Sequence, residues 1–369
     1  MDAAGLIALM ALQTLVLVGL VRFADLNENE PLAVVALLCA WGATGALAIA
    51  VVLDALIVDR LSARVDAVFG PTISAPPVEE AAKGLALGVV LLASAVVGRR
   101  RGWYEFQGVT DGIVYGAAVG LGFALGENVY YLTELGGLVG EQRAAEIVAE
   151  RVGVLGLGAL GHALYAAAFG AALGAAAWVR QPAAKVAMVF GGLLVATGLH
   201  ALHNGGVEAL LVLRHGWEDV ATWRTTGAVP QAVADRLTED EAALSGVLSG
   251  IEVGLVAACV GAAAVWLGLE RRALRHHLAA EAALGTISAE EADAIPALRR
   301  RWGRYARLLA DGDVAGYRRR RRLDAAVIEL GLRRWRGGGE PDARALERCR
   351  ARVAGARRTG SCAAREARG

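Results

Sequence analysis

The chain has 369 residues, 56% of them hydrophobic, with a mean hydropathy of +0.44 and 38 Lys and Arg against 37 Asp and Glu. These values exclude a single water-soluble domain, because the apolar residues gather into runs of the ~20 residues that a bilayer-spanning helix needs. Read in order, seven spans are predicted, at about 3–22, 32–57, 76–98, 108–133, 152–179, 184–213 and 244–269. The first carries Asp2 where a signal peptide has basic residues, and it ends in "LVRFADL" with no small-residue cleavage site, so it reads as a retained anchor. Lipid-exposed backbone must satisfy its own hydrogen bonds, which leaves helices. The expected fold class is therefore all-α: a polytopic membrane helix bundle over residues 1–269 and an Arg-rich helical tail over 270–369.

The near-neutral total hides a split. Residues 270–369 hold 24 Arg against 13 Asp and Glu, a balance of +11, and residues 1–269 hold 14 Lys and Arg against 24 acids, a balance of −10. The positive-inside rule places the basic tail in the cytoplasm and, with seven spans, the N-terminus outside a multi-pass protein of the cell membrane. The loops at 98–106 and 180–185 then fall inside, and the acidic stretches 134–151 and 214–243 outside. The loop around 58–75, with Arg60 and Arg64, is a mild exception. In the tail, Ser288 followed by acidic residues is a helix N-cap signal, and helices are expected at about 296–310 and 316–335. The Arg runs at 299–301 and 318–322 suit anionic lipid headgroups or a cytoplasmic partner. No nucleic-acid motif accompanies them, so no nucleic acid is expected.

Cys39 and Cys259 lie in predicted spans, Cys349 and Cys362 in the tail, and no CxxC occurs, so neither a disulfide framework nor a thiolate zinc site is indicated. Glycines recur four apart at Gly112, Gly116 and Gly120, at Gly122 and Gly126, and at Gly170 and Gly174. That spacing lets helix backbones approach closely.

Ionisable residues inside the spans are few. Asp54, Asp111 and Glu208 lie near span ends, where they reach the interface. The others need partners, since charge in a bilayer is costly and usually functional. In "PPVEEAAKG", Lys83 lies four residues after Glu79 and three after Glu80, so it can pair with either. It is one of two lysines among 38 basic residues, which suggests that the bulk or fork of Arg does not suit this place. "GLGFALGENVYY" adds Glu127, which a cationic or metallic partner would keep ionised. His162 sits in the fifth span, and "GLHALHNGG" sets His200, His203 and Asn204 on one helix face. Measured at 1.5 Å per residue from the outer span ends, Glu80 lies ~6 Å deep, Glu127 ~9 Å, His162 and His203 ~15 Å and His200 ~20 Å. Four helices thus bring polar groups to comparable depth, which indicates one shared site.

These residues resemble the PrsW family of intramembrane proteases, distantly related to the CAAX prenyl endopeptidase and bacteriocin-processing superfamily. "EEAAK" matches EExxK, "FALGEN" matches FxxxEN, "GHALYAAAFG" supplies a lone histidine and "HALHN" an HxxxN-like element. The resemblance spans about residues 30–265 and leaves the tail outside. It implies a membrane-embedded endopeptidase, a hydrolase cutting membrane-anchored proteins, with anti-sigma factors among the substrates. On this chain it implies one of Glu79 and Glu80, preferably Glu80, as the base that activates water, the other pairing with Lys83. Glu127, His162 and His200 would hold a metal, expected to be zinc, and Asn204 with His203 would stabilise the oxyanion. A metal-free version, in which glutamate activates water directly, stays open, as do the rival readings of an ion-coupled transporter and a non-catalytic membrane sensor.

Overall fold

The computed structural model describes residues 2–24, 30–58, 60–61, 63–101, 106, 108–152, 159–179, 181–336 and 343–366. Every regular element among them is helical. In chain order these are α1 (Ala3–Ala24), α2 (Leu32–Trp41), a π-helical turn (Gly42–Ala46), α3 (Leu47–Val58), α4 (Ala63–Ile73), α5 (Ala75–Arg101), α6 (Val109–Val139) and α7 (Glu141–Val152). There follow α8 (Ala159–Ala176), α9 (Pro182–His215), α10 (Trp217–Thr226), α11 (Gln231–Ala283), α12 (Ala289–Ala294), α13 (Leu298–Ala310), α14 (Val314–Arg336) and α15 (Ala343–Glu366).

Six of the described helices are long and apolar enough to cross a membrane: Ala3–Arg22, Leu32–Ile57, Ala75–Val97, Val109–Val139, Pro182–His215 and Gln231–Ala283. The expected fifth span is represented by α8, an apolar helix of 18 residues, and residues 153–158 of that expectation lie outside the described ones. The 53 residues of α11 make a helix of roughly 80 Å, well beyond the ~30 Å hydrocarbon core, so its apolar stretch is only part of it. The chain is a multi-pass membrane protein. Large apolar side chains on α5 and α9, such as Leu92 and Leu194, point outward, as lipid-facing residues do.

The stretches read as loops hold more structure than expected. The segment around 58–75 contains α4, and the stretch 214–243 contains α10 and the start of α11. α4 is amphipathic, and its Val68 packs with Leu211, Val220 and Leu237, while Phe69 stacks on Trp217.

The chain clusters into two compact units. The first comprises α1 to α10, with α5 counted through Val96, and α11 to Ala262. Its centre is α6, from Thr110 to Ala124 an almost fully buried helix, and the glycine rows explain how neighbours come so near. A Cβ at Gly112, Gly116 or Gly120 would overlap the carbonyl of Gly170, Ala166 or His162 on α8. A Cβ at Gly122 or Gly126 would overlap the carbonyl of Cys39 or Ala43 in α2 and the π-helical turn. Glycine at these positions thus brings two backbones against α6 on different sides, which sets His162 close to the α6 axis.

The second unit comprises α11 from Ala263 and α12 to α15. α12 starts at Ser288, whose side chain accepts from the Glu291 backbone N–H while Glu291 returns a bond to Ser288, a capping box. Leu274, Leu278, Ile295, Val327, Leu330 and Val353 form the core. Glu281, fully buried, accepts from Arg334 at 2.5 Å and from Arg350 at 2.8 and 3.0 Å. Burial, with Glu329 nearby, pushes the Cys349 thiol up to about 11. Burial and the Asp324 carboxylate, which accepts from the Tyr305 hydroxyl at 2.9 Å, hold that phenol above its ordinary range.

Candidate active site

α5 opens with Pro76 and Pro77 in its first turn, where backbone N–H groups lack intrahelical acceptors and proline is tolerated. One turn later Glu79, Glu80 and Lys83 enter the bundle, at 7%, 1% and 1% exposure. The Lys83 ammonium donates to Glu80 Oε1 at 2.8 Å and to Glu79 Oε2 at 3.2 Å, so it pairs with both glutamates and not with one of them. Its third contact is His162 Nδ1 of α8, at 3.0 Å. It also sits 3.9 Å from the centroid of the Phe123 ring, a cation–π contact in a desolvated place. Next to it, Trp41 Nε1 donates to the Ala82 carbonyl at 3.1 Å, which ties α2 to this turn of α5.

Two histidines complete the cluster, and their partners assign their protons. His162 Nε2 lies 3.0 Å from Glu127 Oε2 of α6. An ionised carboxylate only accepts, so Nε2 carries the hydrogen and Nδ1 keeps its lone pair for Lys83. His200 Nδ1 of α9 lies 3.0 Å from Glu80 Oε1, which by the same reasoning protonates Nδ1 and leaves the lone pair on Nε2. That Nε2 lies 3.9 Å from Glu79 Oε2, as does His162 Nδ1. The imidazoles cross edge to face with centroids 5.0 Å apart, and Tyr165 stacks on His200, also at 5.0 Å. Three carboxylates, one ammonium and two imidazoles are thus gathered from α5, α6, α8 and α9, all buried.

The cluster forms one wall of a cavity of about 630 Å³. Glu79, Glu127, His162 and His200 line it, and Glu80 and Lys83 stand behind them. His203 and Asn204, one turn beyond His200, line it as well. Asp54 of α3 and Asp66 of α4 border it too, so Asp54 is at the cavity as well as near a span end. Asp111 instead caps α6 by accepting from the Gly108 N–H at 3.0 Å, and Glu208 pairs with Arg224 at 2.9 Å.

Among the described residues, one group of three offers metal-ligand atoms that all lie within 4.8 Å of one another: Glu79, His162 and His200. The expected set was Glu127, His162 and His200. Its two histidines are in the group, and Glu79 is the carboxylate beside them, while Glu127 faces the far nitrogen of His162. The donor kinds, one oxygen and two nitrogens, are those that zinc takes. Within that group Glu79 Oε2 and His162 Nδ1, 3.9 Å apart, are both hydrogen-bonded to Lys83. Tyr165 and the bordering α4 were not singled out from sequence. Tyr165 was legible in principle, three residues after His162 on the same face of an apolar helix.

Fold and cluster together define a multi-pass membrane protein with a cluster of ionisable side chains buried in its helix bundle. The family model described as PrsW family intramembrane metalloprotease matches residues 30–223, more than half of the chain and inclusive of every residue of the cluster. The chain belongs to this family, one of membrane-embedded proteases. No curated protein and no solved structure matches it.

Proposed function

We propose that the chain is an intramembrane endopeptidase that hydrolyses peptide bonds of membrane-anchored proteins by a glutamate-activated water. The observation that carries this reading is Glu79: a carboxylate at the cavity wall, held by an ammonium, beside the lone pair of His200 Nε2. Water in the cavity donates a hydrogen bond to Glu79, which takes its proton as the water attacks the scissile carbonyl and gives it to the leaving amine as the C–N bond breaks. Glu80 is the positioning carboxylate, orienting Lys83 and His200 from behind. Glu127 orients His162 through Nε2, the relation a carboxylate bears to an imidazole whose other nitrogen faces a cation. Asn204 and His203, on the cavity wall, are the donors for the developing oxyanion. The bilayer-level site and the family support membrane-anchored substrates, with anti-sigma factors an instance the family suggests.

A zinc ion at Glu79, His162 and His200 would acidify its water and polarise the carbonyl, but only with the Lys83 ammonium displaced from Glu79 and His162. The protein groups named above would hold and orient the reactants in that case too. The charge split of +11 against −10 supports a cytoplasmic tail, an outside N-terminus and residence in the cell membrane. We read residues 1–269 as the protease domain and 270–369 as a separate basic module suited to anionic lipid or a cytoplasmic partner.

The test is a quantitative comparison of membrane-protein fragments in cells making wild type, Glu79→Gln or Glu80→Gln. Fragments that appear with wild type and vanish with both variants, at equal membrane insertion, support the reading. Identical fragments in all three remove it.

A further inference from the structure

The geometry points to Lys83 as the resident cation of this site, one that keeps a divalent metal out while its ammonium stays in place. An ammonium has three N–H donors and no acceptor, and here each donor has its own acceptor: Glu79 Oε2, Glu80 Oε1 and His162 Nδ1. Two of those acceptors belong to residues that a metal at Glu79, His162 and His200 would use, and for His162 the acceptor Nδ1 is the one nitrogen not held by Glu127. The conflict is sharpest at His162. The unprotonated nitrogen of a neutral imidazole has one lone pair, and it cannot accept an N–H and bind a metal together. Nor can His162 turn its other nitrogen to a metal, because Glu127 holds Nε2 at 3.0 Å. A bound metal would also stand beside a like charge inside the bundle, where charges are screened less than in bulk water.

The surroundings favour the ammonium staying. Its side chain is 1% exposed, Phe123 offers its ring face at 3.9 Å, and Trp41 fixes the backbone of the same turn through Ala82. Two lysines among 38 basic residues make the choice at this place specific, and a compact ammonium meets three convergent acceptors that a planar guanidinium would not. Without Lys83, three carboxylates and two imidazoles face one another with no ammonium among them. That is a strong metal site in waiting, so the lysine sets the metal affinity of the centre.

This rests on the reading of the cluster as the hydrolytic centre, but the readout is metal affinity, so a chain that cuts nothing still decides it. The purified full chain in detergent is titrated with zinc against a chromogenic chelator, and with cobalt(II) for its tetrahedral absorption bands. Wild type is expected to bind zinc weakly. Lys83→Met should bind one equivalent at least tenfold more tightly and show the cobalt bands, and adding His162→Ala to it should abolish both. If Lys83→Met misfolds, Lys83→Gln is expected to give the same gain. A tight one-equivalent zinc site in wild type, lost in His162→Ala, overturns the proposal, as does a folded Lys83→Met or Lys83→Gln whose zinc affinity is no higher than wild type's.

Discussion

Glu80 in the membrane bundle and Glu281 in the tail are both buried carboxylates, at 1% and 0% exposure, and their company differs in kind. Glu281 receives two guanidinium groups, from Arg334 and Arg350, in a unit where cations outnumber acids. Both of its oxygens are engaged, Oε1 by both arginines and Oε2 by Arg350, and its task is to join α11, α14 and α15. Glu80 shares one ammonium with Glu79, lends the same oxygen to His200, and keeps its Oε2 buried with no hydrogen-bond partner among the described residues. Beside it stands a cavity, and beyond that ammonium a third carboxylate, Glu127. Excess cation makes a clamp; excess carboxylate beside open space leaves carboxyl groups facing a cavity.

That contrast can be broken or sharpened by substitution. The largest effect is expected at His200. His200→Phe keeps the ring that stacks on Tyr165 and removes both nitrogens, so cleavage should fall by about 10²–10⁴. Near-wild-type cleavage would mean that the nitrogens are structural. Glu281→Ala should act on stability instead, because it removes the acceptor of charge-assisted hydrogen bonds from two arginines that are 27% exposed and regain water, at a cost of about 2–3 kcal/mol. Limited proteolysis should then cut the tail far faster while the α1–α10 region stays resistant; an unchanged digestion pattern would deny the clamp. Gly120→Val forces a branched side chain against the His162 carbonyl and should cost about 1–3 kcal/mol, seen as a lower midpoint of thermal unfolding in detergent. An unchanged midpoint would show that α6 and α8 have room to separate. The smallest effect is at Cys349. With its thiol pushed up to about 11, alkylation of the folded tail should be slow at pH 8 and rise about tenfold per pH unit until that value. A plateau near pH 9 would place the thiol in water.

Much of this was legible in the sequence because membrane helices write their length and their charges plainly. The pairing of Lys83 with the adjacent glutamates follows from helical spacing, and the meeting of α5, α6, α8 and α9 follows from comparable depth. What spacing could not decide was direction across the bundle. Glu79 and Glu80 are neighbours about 100° apart on the helix, and only packing shows that Glu79 meets the cavity while Glu80 turns to His200. The resemblance puts Glu127 among the ligands, and which nitrogen of His162 it meets is set by the glycine contacts that press α8 onto α6, which bring it to Nε2. α4 was missed because a short amphipathic helix between spans has a charge pattern like that of a loop.

The central claim is that Glu79, at the wall of a cavity inside the bundle, activates the water that cuts a membrane-anchored peptide. Its most direct test is the purified chain, reconstituted in lipid with a pool of single-span peptides and analysed by mass spectrometry, for wild type and Glu79→Gln side by side. The account predicts new termini within or beside the spans for wild type and none for a Glu79→Gln protein that unfolds at the same temperature. The same termini at the same rate from both proteins would contradict it.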